Sequence, residues 1–250
     1  DSLDVKLSTT SLRLPKTDSG LAILSGYKIL QELDAYTGSS LAWNHELNGL
    51  ILKWGKAIYF VDCYEELYIL SELYLSGDYD FSPSGSCVVI DVGANVGFTS
   101  IFLANSNPDI LIEGYEPLKL NFEKAKKNLS ANEHLVNRVS FINCGLYSDN
   151  GEQTISSAVG NRGMSSLVFD RSEKSNLKVD SEVVQVRRAS EVIRDLKLRH
   201  PGRRIAMKMD CEGSEYAIFN ELVDVGALQL IDFVVMEWHR LGNGDRSLEQ

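Results

Sequence analysis

Two groups of residues in this chain combine types and spacing that suit chemistry. The first is the run DVGANVGFTS, residues 91–100, which places Asp91, Gly93, Asn95, Gly97 and Thr99 on an expected strand-to-helix turn. Gly93 permits a tight bend, and Gly97 lets the start of a helix pack close to a ligand. Asn95 stands where a dinucleotide fingerprint would carry glycine. Asp91, just before the bend, would repel a pyrophosphate and suits a cationic group instead. The second group lies at two later strand ends, with Lys208 and Asp210 on one and Glu237 and His239 on the other. Residues two apart on a strand share a face, so each pair points the same way.

Lys208 and Glu237 interrupt apolar runs, and burying either charge alone is costly. A Lys208–Glu237 or Lys208–Asp210 ion pair would satisfy them without any chemistry. Asp210 is also placed to cap a helix beginning near Gly213, whose dipole would favour Glu212 and Glu215. The chemical alternative is that His239 or Asp210 removes a proton from a hydroxyl while Lys208 and Glu237 set the local charge. In a variant of it, Asp210, Glu237 and His239 hold a divalent cation, magnesium or manganese by ligand type.

The elements that must position these residues alternate between strand and helix. CVVIDV (residues 87–92), DILIEGYE (109–116), RVSFINC (138–144), RIAMKMD (204–210) and IDFVVMEWH (231–239) read as strands. Helices are expected from about Val96 to Asn105, Leu120 to Asn132, Ser190 to Leu198 and Glu215 to Leu222. Unalternated Val, Ile and Leu suit strands covered on both faces, so the expected fold is α/β, doubly wound, with a mostly parallel Rossmann-like sheet. Ligands in such folds bind at the carboxyl ends of the strands, where strand order reverses.

Glu116 lies there, 19 residues after Gly97. Its carboxylate can accept hydrogen bonds from two ribose hydroxyls. Together, Asp91 and Glu116 suit S-adenosylmethionine: Asp91 its cationic amino-acid end, directly or through water, and Glu116 its ribose. Leu146, Tyr147, Ser148 and Asp149 fall where the adenine would be flanked.

Ahead of this region, residues 1–86 are expected to form a separate N-terminal extension, with 87–250 as the cofactor-binding domain. In the extension a helix is expected around Gly20–Leu33. Residues 50–61 read as two strands around a two-residue turn with Gly55 first, a type II′ pattern, and 63–75 as amphipathic helix. The turn-rich stretch 76–86 marks the boundary. Tyrosines between Tyr59 and Tyr79, with Trp43 and Trp54, are assigned mainly to the core of this extension, the other possibility being a pocket lid. GNRGMSSL (160–167) reads as a loop, a connection that has the composition to close over an acceptor.

The balance of 35 acidic against 25 basic side chains gives a formal charge of −10, which argues against a broad nucleic-acid-binding face. The local basic run from Arg187 to Arg204 reads as the solvated face of a helix. Four scattered cysteines lack metal-ligand spacing and point to a reducing, cytoplasmic setting. No apolar run reaches 18 residues, and the polar opening has no signal-peptide pattern. The oligomeric state is open.

DVGANVGFTSIFLA, YEP followed by Asn121, GLYSDNG, KMDCEGSE and MEWH occur in this order between Cys87 and His239. This set resembles the FkbM family of methyltransferases. The resemblance implies S-adenosylmethionine-dependent O-methylation of a small molecule or glycan (natural product, sugar or glycolipid), with Asp91, Gly93, Asn95, Gly97 and Glu116 at the cofactor. A dinucleotide-dependent oxidoreductase and a non-catalytic S-adenosylmethionine-binding module are the alternatives. The usual fold ends in an antiparallel strand pair, which the eleven residues after His239 leave unaccounted for unless strands from 151–187 supply it. Residues 1–86 match none of the family's motifs.

Overall fold

The computed structural model describes residues 2–36, 39–77, 85–158, 161–166 and 179–239. It opens with an antiparallel hairpin, β1 (Ser2–Lys6) and β2 (Ser11–Pro15). Where one helix was expected there are two, α1 (Asp18–Ser25) and α2 (Tyr27–Ala35), broken at Gly26. Thr17 starts α1, its hydroxyl accepting the Gly20 N–H at 3.2 Å.

A three-stranded meander follows, β3 (Ser39–Asn44), β4 (Gly49–Trp54) and β5 (Ala57–Val61). The β4–β5 turn has two residues between Trp54 and Ala57, with Gly55 at φ +58° as a type II′ turn requires. Next comes α3 (Tyr64–Ser71), extended by a π-helical turn over Glu72–Ser76.

The larger region begins at β6 (Cys87–Val92), buried along its whole length. It continues through α4 (Phe98–Ser106), β7 (Ile110–Tyr115), α5 (Lys119–Ser130), β8 (Val139–Ile142) and β9 (Gly145–Tyr147). Then come β10 (Gly151–Ala158), β11 (Asn161–Ser166), β12 (Val179–Arg188) and α6 (Ala189–Arg199). The described chain closes with β13 (Arg204–Met209), α7 (Glu215–Asp224) and β14 (Phe233–Met236).

Five of these strands form one parallel sheet in the order β14-β13-β6-β7-β8. The order reverses between β6 and β13, so the crevice at their carboxyl ends is the expected ligand position. Alternation along β6 sends Val88, Ile90 and Val92 into one cluster with α6 and α7, and Val89 into another with α4. That is why the strands read as unbroken apolar runs.

Two expectations fail here. β9, β10, β11 and β12 make a sheet of their own, in the order β11-β10-β12-β9. The described strands from 151–187 therefore do not extend the main sheet, and residues 159–160, 167–178 and 240–250 lie outside the described ones. The stretch read as a loop at 160–167 instead contributes β11, paired antiparallel with β10, although residues 160 and 167 lie outside the description.

The N-terminal elements and α4 share one hydrophobic cluster, in which Leu67 and Leu70 of α3 join Phe98 and Ile101. Full burial of such a side chain stabilises by roughly 1.5–3 kcal/mol. An ion pair adds a fixed point: Lys124 of α5 lies 2.6 Å from Glu66 and 2.7 Å from Asp62. Its ammonium thus already pairs with two of the three residues, Asp62, Cys63 and Glu66, whose ligand atoms lie within 4.8 Å of one another. The basic run at 187–204 is tied down locally rather than simply solvated. Arg188 pairs with Asp149, Arg199 with Glu113 and Asp195, and Lys197 with Asp232.

Candidate active site

The turn after β6 holds three residues in the left-handed region, Gly93 (φ +76°), Asn95 (+50°) and Gly97 (+81°). A side chain at Gly93 would overlap the Asp210 carbonyl, and a Cβ at Gly97 would lie 2.6 Å from the Phe141 ring. Both glycines therefore serve close packing inside the protein, and for Gly97 this replaces the ligand contact expected of it. The loop is closed onto β7 by Gly93 and Ala94, whose N–H groups both donate to the Tyr115 carbonyl at 3.0 Å. Gly97 caps α4 without a side-chain hydrogen bond. The first turn of α4 accordingly presents backbone donors that no cap side chain takes up.

A cavity of about 470 Å³ opens beside this loop. Among the expected site residues, Gly93, Asn95, Thr99, Glu116 and Leu146 line it from the cofactor group, and Lys208, Asp210, Glu237 and His239 from the second group. Asp91, Gly97 and Ser148 do not. Ser148 donates instead to Asp149 at 3.2 Å.

Asp91 departs most from expectation. Its carboxylate is fully buried, on the α4 side of β6, where Ser100 donates to Oδ2 at 2.7 Å. Lys208 stands beside it on β13 in direct register, with Nζ 3.1 Å from Oδ1. The ammonium also donates to the Gly93 carbonyl at 3.0 Å and lies 3.8 Å from Asp210. Asp91 is thus enclosed by protein groups rather than presented to a ligand's cation, because strand alternation turns it under α4. Lys208 finds its main partner there and not in Glu237.

Glu116 faces the cavity with only 4% of its surface exposed. Each carboxylate oxygen accepts one backbone N–H, Oε2 from Asn95 at 2.8 Å and Oε1 from Leu118 at 2.9 Å. Burial raises its pKa from 4.5 to about 7, against the lowering effect of those two bonds.

At the β13–β14 end, sequence reasoning missed the role of Glu215. It is fully buried, accepts N–H bonds from Cys211 at 2.8 Å and Gly213 at 2.6 Å, and lies 3.0 Å from His239 Nδ1. Glu215, not Asp210, thereby holds the turn before α7, in which Glu212 and Gly213 take positive φ. Its E at the first helical position after EGS was the available signal, read only as a dipole effect. The Glu215 hydrogen bond lifts the His239 pKa to about 9, with Glu212 and Asp210 adding to the pull. A pKa raised in this way favours the imidazolium form of His239 at neutral pH. Nε2 lies 3.6 Å from Glu237 and 4.0 Å from Asp210. Burial and the neighbouring Asp210 raise the Glu237 pKa. Asp210, Glu237 and His239 each offer a ligand atom, all within 4.8 Å of one another.

Tyr64 and Tyr68 of α3 line the cavity, whereas Tyr59 and Tyr74 pack in the core, joined hydroxyl to hydroxyl at 2.7 Å. Trp43 and Trp54 pack against the same core cluster.

A doubly wound parallel sheet with its cavity at the strand-order reversal is the Rossmann-like architecture of class I methyltransferases. The family model described as "Methyltransferase FkbM domain" matches residues 91–247, and the chain belongs to this family as an S-adenosylmethionine-dependent methyltransferase. It is 28% identical over 211 residues to methyltransferase sdnD of Sordaria araneosa, covering 74% of this chain and 79% of that protein. To methyltransferase 1 of Beauveria bassiana it is 25% identical over 184 residues, 68% and 72% of the two chains. The crystal structure of an FkbM methyltransferase from Methylobacillus flagellatus aligns at TM-score 0.43 and 16% identity, over 66% of this chain and 36% of the other. An S-adenosylmethionine-dependent methyltransferase from Agrobacterium tumefaciens aligns at 0.38 and 8% identity, over 83% and 55%. This chain thus spans well under two thirds of either solved structure. No helix among the described residues is long and apolar enough to cross a membrane.

Proposed function

We propose that the protein methylates a hydroxyl oxygen on a small molecule or glycan. The residues present fit S-adenosylmethionine. Glu116 aims a buried carboxylate at the cavity and can accept from ribose hydroxyls, Leu146 offers an apolar surface for the base, and the uncapped first turn of α4 suits a carboxylate. When bound, the cofactor supplies a methyl group activated by a sulfonium for in-line displacement.

The observation that carries the reading is that Asp210 shares one cavity wall with the cofactor loop while His239 is held as a cation. Asp210 is then the group able to take the hydroxyl proton as the oxygen attacks. Lys208 fixes Asp210 relative to Gly93, Glu215 orients His239, and the imidazolium balances the surrounding carboxylates. A free acid formed at Asp210 returns its proton to solvent at the cavity mouth.

A second reading is favoured by the clustering of Asp210, Glu237 and His239. A divalent cation held by these three would lower the hydroxyl pKa directly. Activity that survives exhaustive chelation excludes the cation; activity lost on chelation and restored by magnesium or manganese establishes it. The main reading is tested by calorimetry with S-adenosylhomocysteine and with NAD. Binding of NAD and not of S-adenosylhomocysteine would sink it. Four free cysteines support a reducing compartment such as the cytoplasm.

A further inference from the structure

We propose that Asn128 of α5 positions the cofactor loop, and that through it the outer edge of β5, in the N-terminal region, belongs to the S-adenosylmethionine site. The proposal rests on the reading of that loop as the place of the donor and holds for any acceptor.

β5 is the outer strand of the β3-β4-β5 meander, so the backbone groups along one side of it have no neighbouring strand to bond. Two side chains of α5 take that place. Asn128 accepts the Phe60 N–H at 2.9 Å. Asn132 accepts the Ile58 N–H at 2.9 Å and donates to the Ile58 carbonyl at 2.7 Å. The fit follows from the two repeats: residues four apart on a helix rise about 6 Å and residues two apart on a strand about 7 Å, so successive amides meet alternate positions of the edge.

Asn128 also reaches the cofactor loop. Its amide nitrogen donates to the Val96 carbonyl at 2.9 Å. Val96 lies between Asn95 and Gly97, both in the left-handed region, and lines the cavity. The Asn95 N–H is held in turn by Glu116. One buried side chain, 2% exposed, thus joins an edge strand to the turn beside the cavity. Its neighbours on α5 close the same contact. Asn121 lines the cavity, and a Cβ at Gly97 would lie 3.1 Å from that of Ala125. Asn121, Ala125, Asn128 and Asn132 share one helical face by their spacing. β5 touches the cavity wall a second way, where Tyr59 meets Phe98 edge-on with ring centroids 5.0 Å apart.

Asn132 supplies the control. It is buried to the same degree and grips the same strand, but its amide otherwise donates to the Asn128 carbonyl at 2.8 Å. Loss of either amide strands buried backbone groups, so Asn128→Ala and Asn132→Ala should both lower the urea midpoint. Calorimetry with S-adenosylhomocysteine, at a temperature where both variants are folded, should separate them. Asn128→Ala should weaken binding about fivefold or more, and Asn132→Ala should stay within about twofold of the unaltered protein. Hydrogen exchange reads the same link without a substitution and decides alone should Asn128→Ala not fold. S-adenosylhomocysteine should slow exchange of the Phe60 amide about threefold more than that of the Ile58 amide. A smaller loss in Asn128→Ala, an equal loss in Asn132→Ala, or equal slowing of the two amides would each overturn the assignment. If S-adenosylhomocysteine binds the unaltered protein, these failures fall on Asn128 alone; if it does not, the methyltransferase reading fails and takes this assignment with it.

Discussion

Lys208 and Asp91 stand opposite each other on adjacent parallel strands, with Nζ and Oδ1 3.1 Å apart and their side chains 3% and 0% exposed. Asp91 Oδ1 has no directional hydrogen bond, so the ammonium is what balances it. Removing one partner of such a buried pair costs about 3–5 kcal/mol, because the remaining charge is left without compensation. Lys208→Met and Asp91→Asn should each lower the urea midpoint strongly. The double variant should be less destabilised than the sum of the two. Strict additivity would show that the pair is not coupled.

Glu116 should make donor affinity depend on pH. Ionised, it accepts from two hydroxyls; protonated, one oxygen becomes a donor and an acceptor is lost. Its pKa near 7 places the change in the neutral range. S-adenosylhomocysteine should therefore bind more tightly as pH rises from 6 to 8, with release of a proton visible as a buffer-dependent enthalpy. The sign for folding is opposite. A carboxyl raised from 4.5 to about 7 contributes stability that is fully present below the lower value and lost as pH rises through the upper one. Glu116→Gln should flatten both profiles. A pH-independent affinity in the unaltered protein would remove Glu116 from the cofactor.

Asp210 and His239 separate by kinetics. Asp210→Asn should lower kcat about 10²–10⁴-fold, the usual worth of a general base, with little change in S-adenosylhomocysteine affinity. His239→Ala should cost less in rate, since the residue is cationic at rest. Normal turnover in Asp210→Asn would remove it as the proton acceptor.

Gly93→Ala tests the packing of the cofactor loop. The added methyl would overlap the Asp210 carbonyl at a φ of +76°. Strain of this kind costs roughly 1–3 kcal/mol or more, so the variant should unfold earlier in urea and bind S-adenosylhomocysteine more weakly. Unchanged values for both would mean that the loop has more room than its geometry indicates.

The main sheet was legible because its strands are covered on both faces and read as unbroken apolar runs. The same reasoning brought Glu116 and Asp210 to one cavity, since strand ends converge wherever order reverses. What one sequence hides is lateral neighbourhood. Lys208 is 117 positions from Asp91, and only the β6–β13 register makes them partners. β1 and β2 escaped notice although SLDVK and SLRLP alternate polar with apolar residues, because each run is only five residues long and holds just two apolar side chains on its inward face. Glu215 was visible as a charge at a helix start; its grip on His239 depends on how far the chain travels through α7 and back along β14. The contrast in composition at 76–86 gave no hint that Leu67 and Phe98 lie in one cluster across it.

The divided character of α3 has a mechanical consequence. Its leucines are buried in the interior, while Tyr64, Glu65, Tyr68, Ile69 and Glu72 line the cavity. The fixed half of this short helix therefore holds its cavity-lining half in place, so a replacement among its leucines would reach the cavity wall through the core rather than directly.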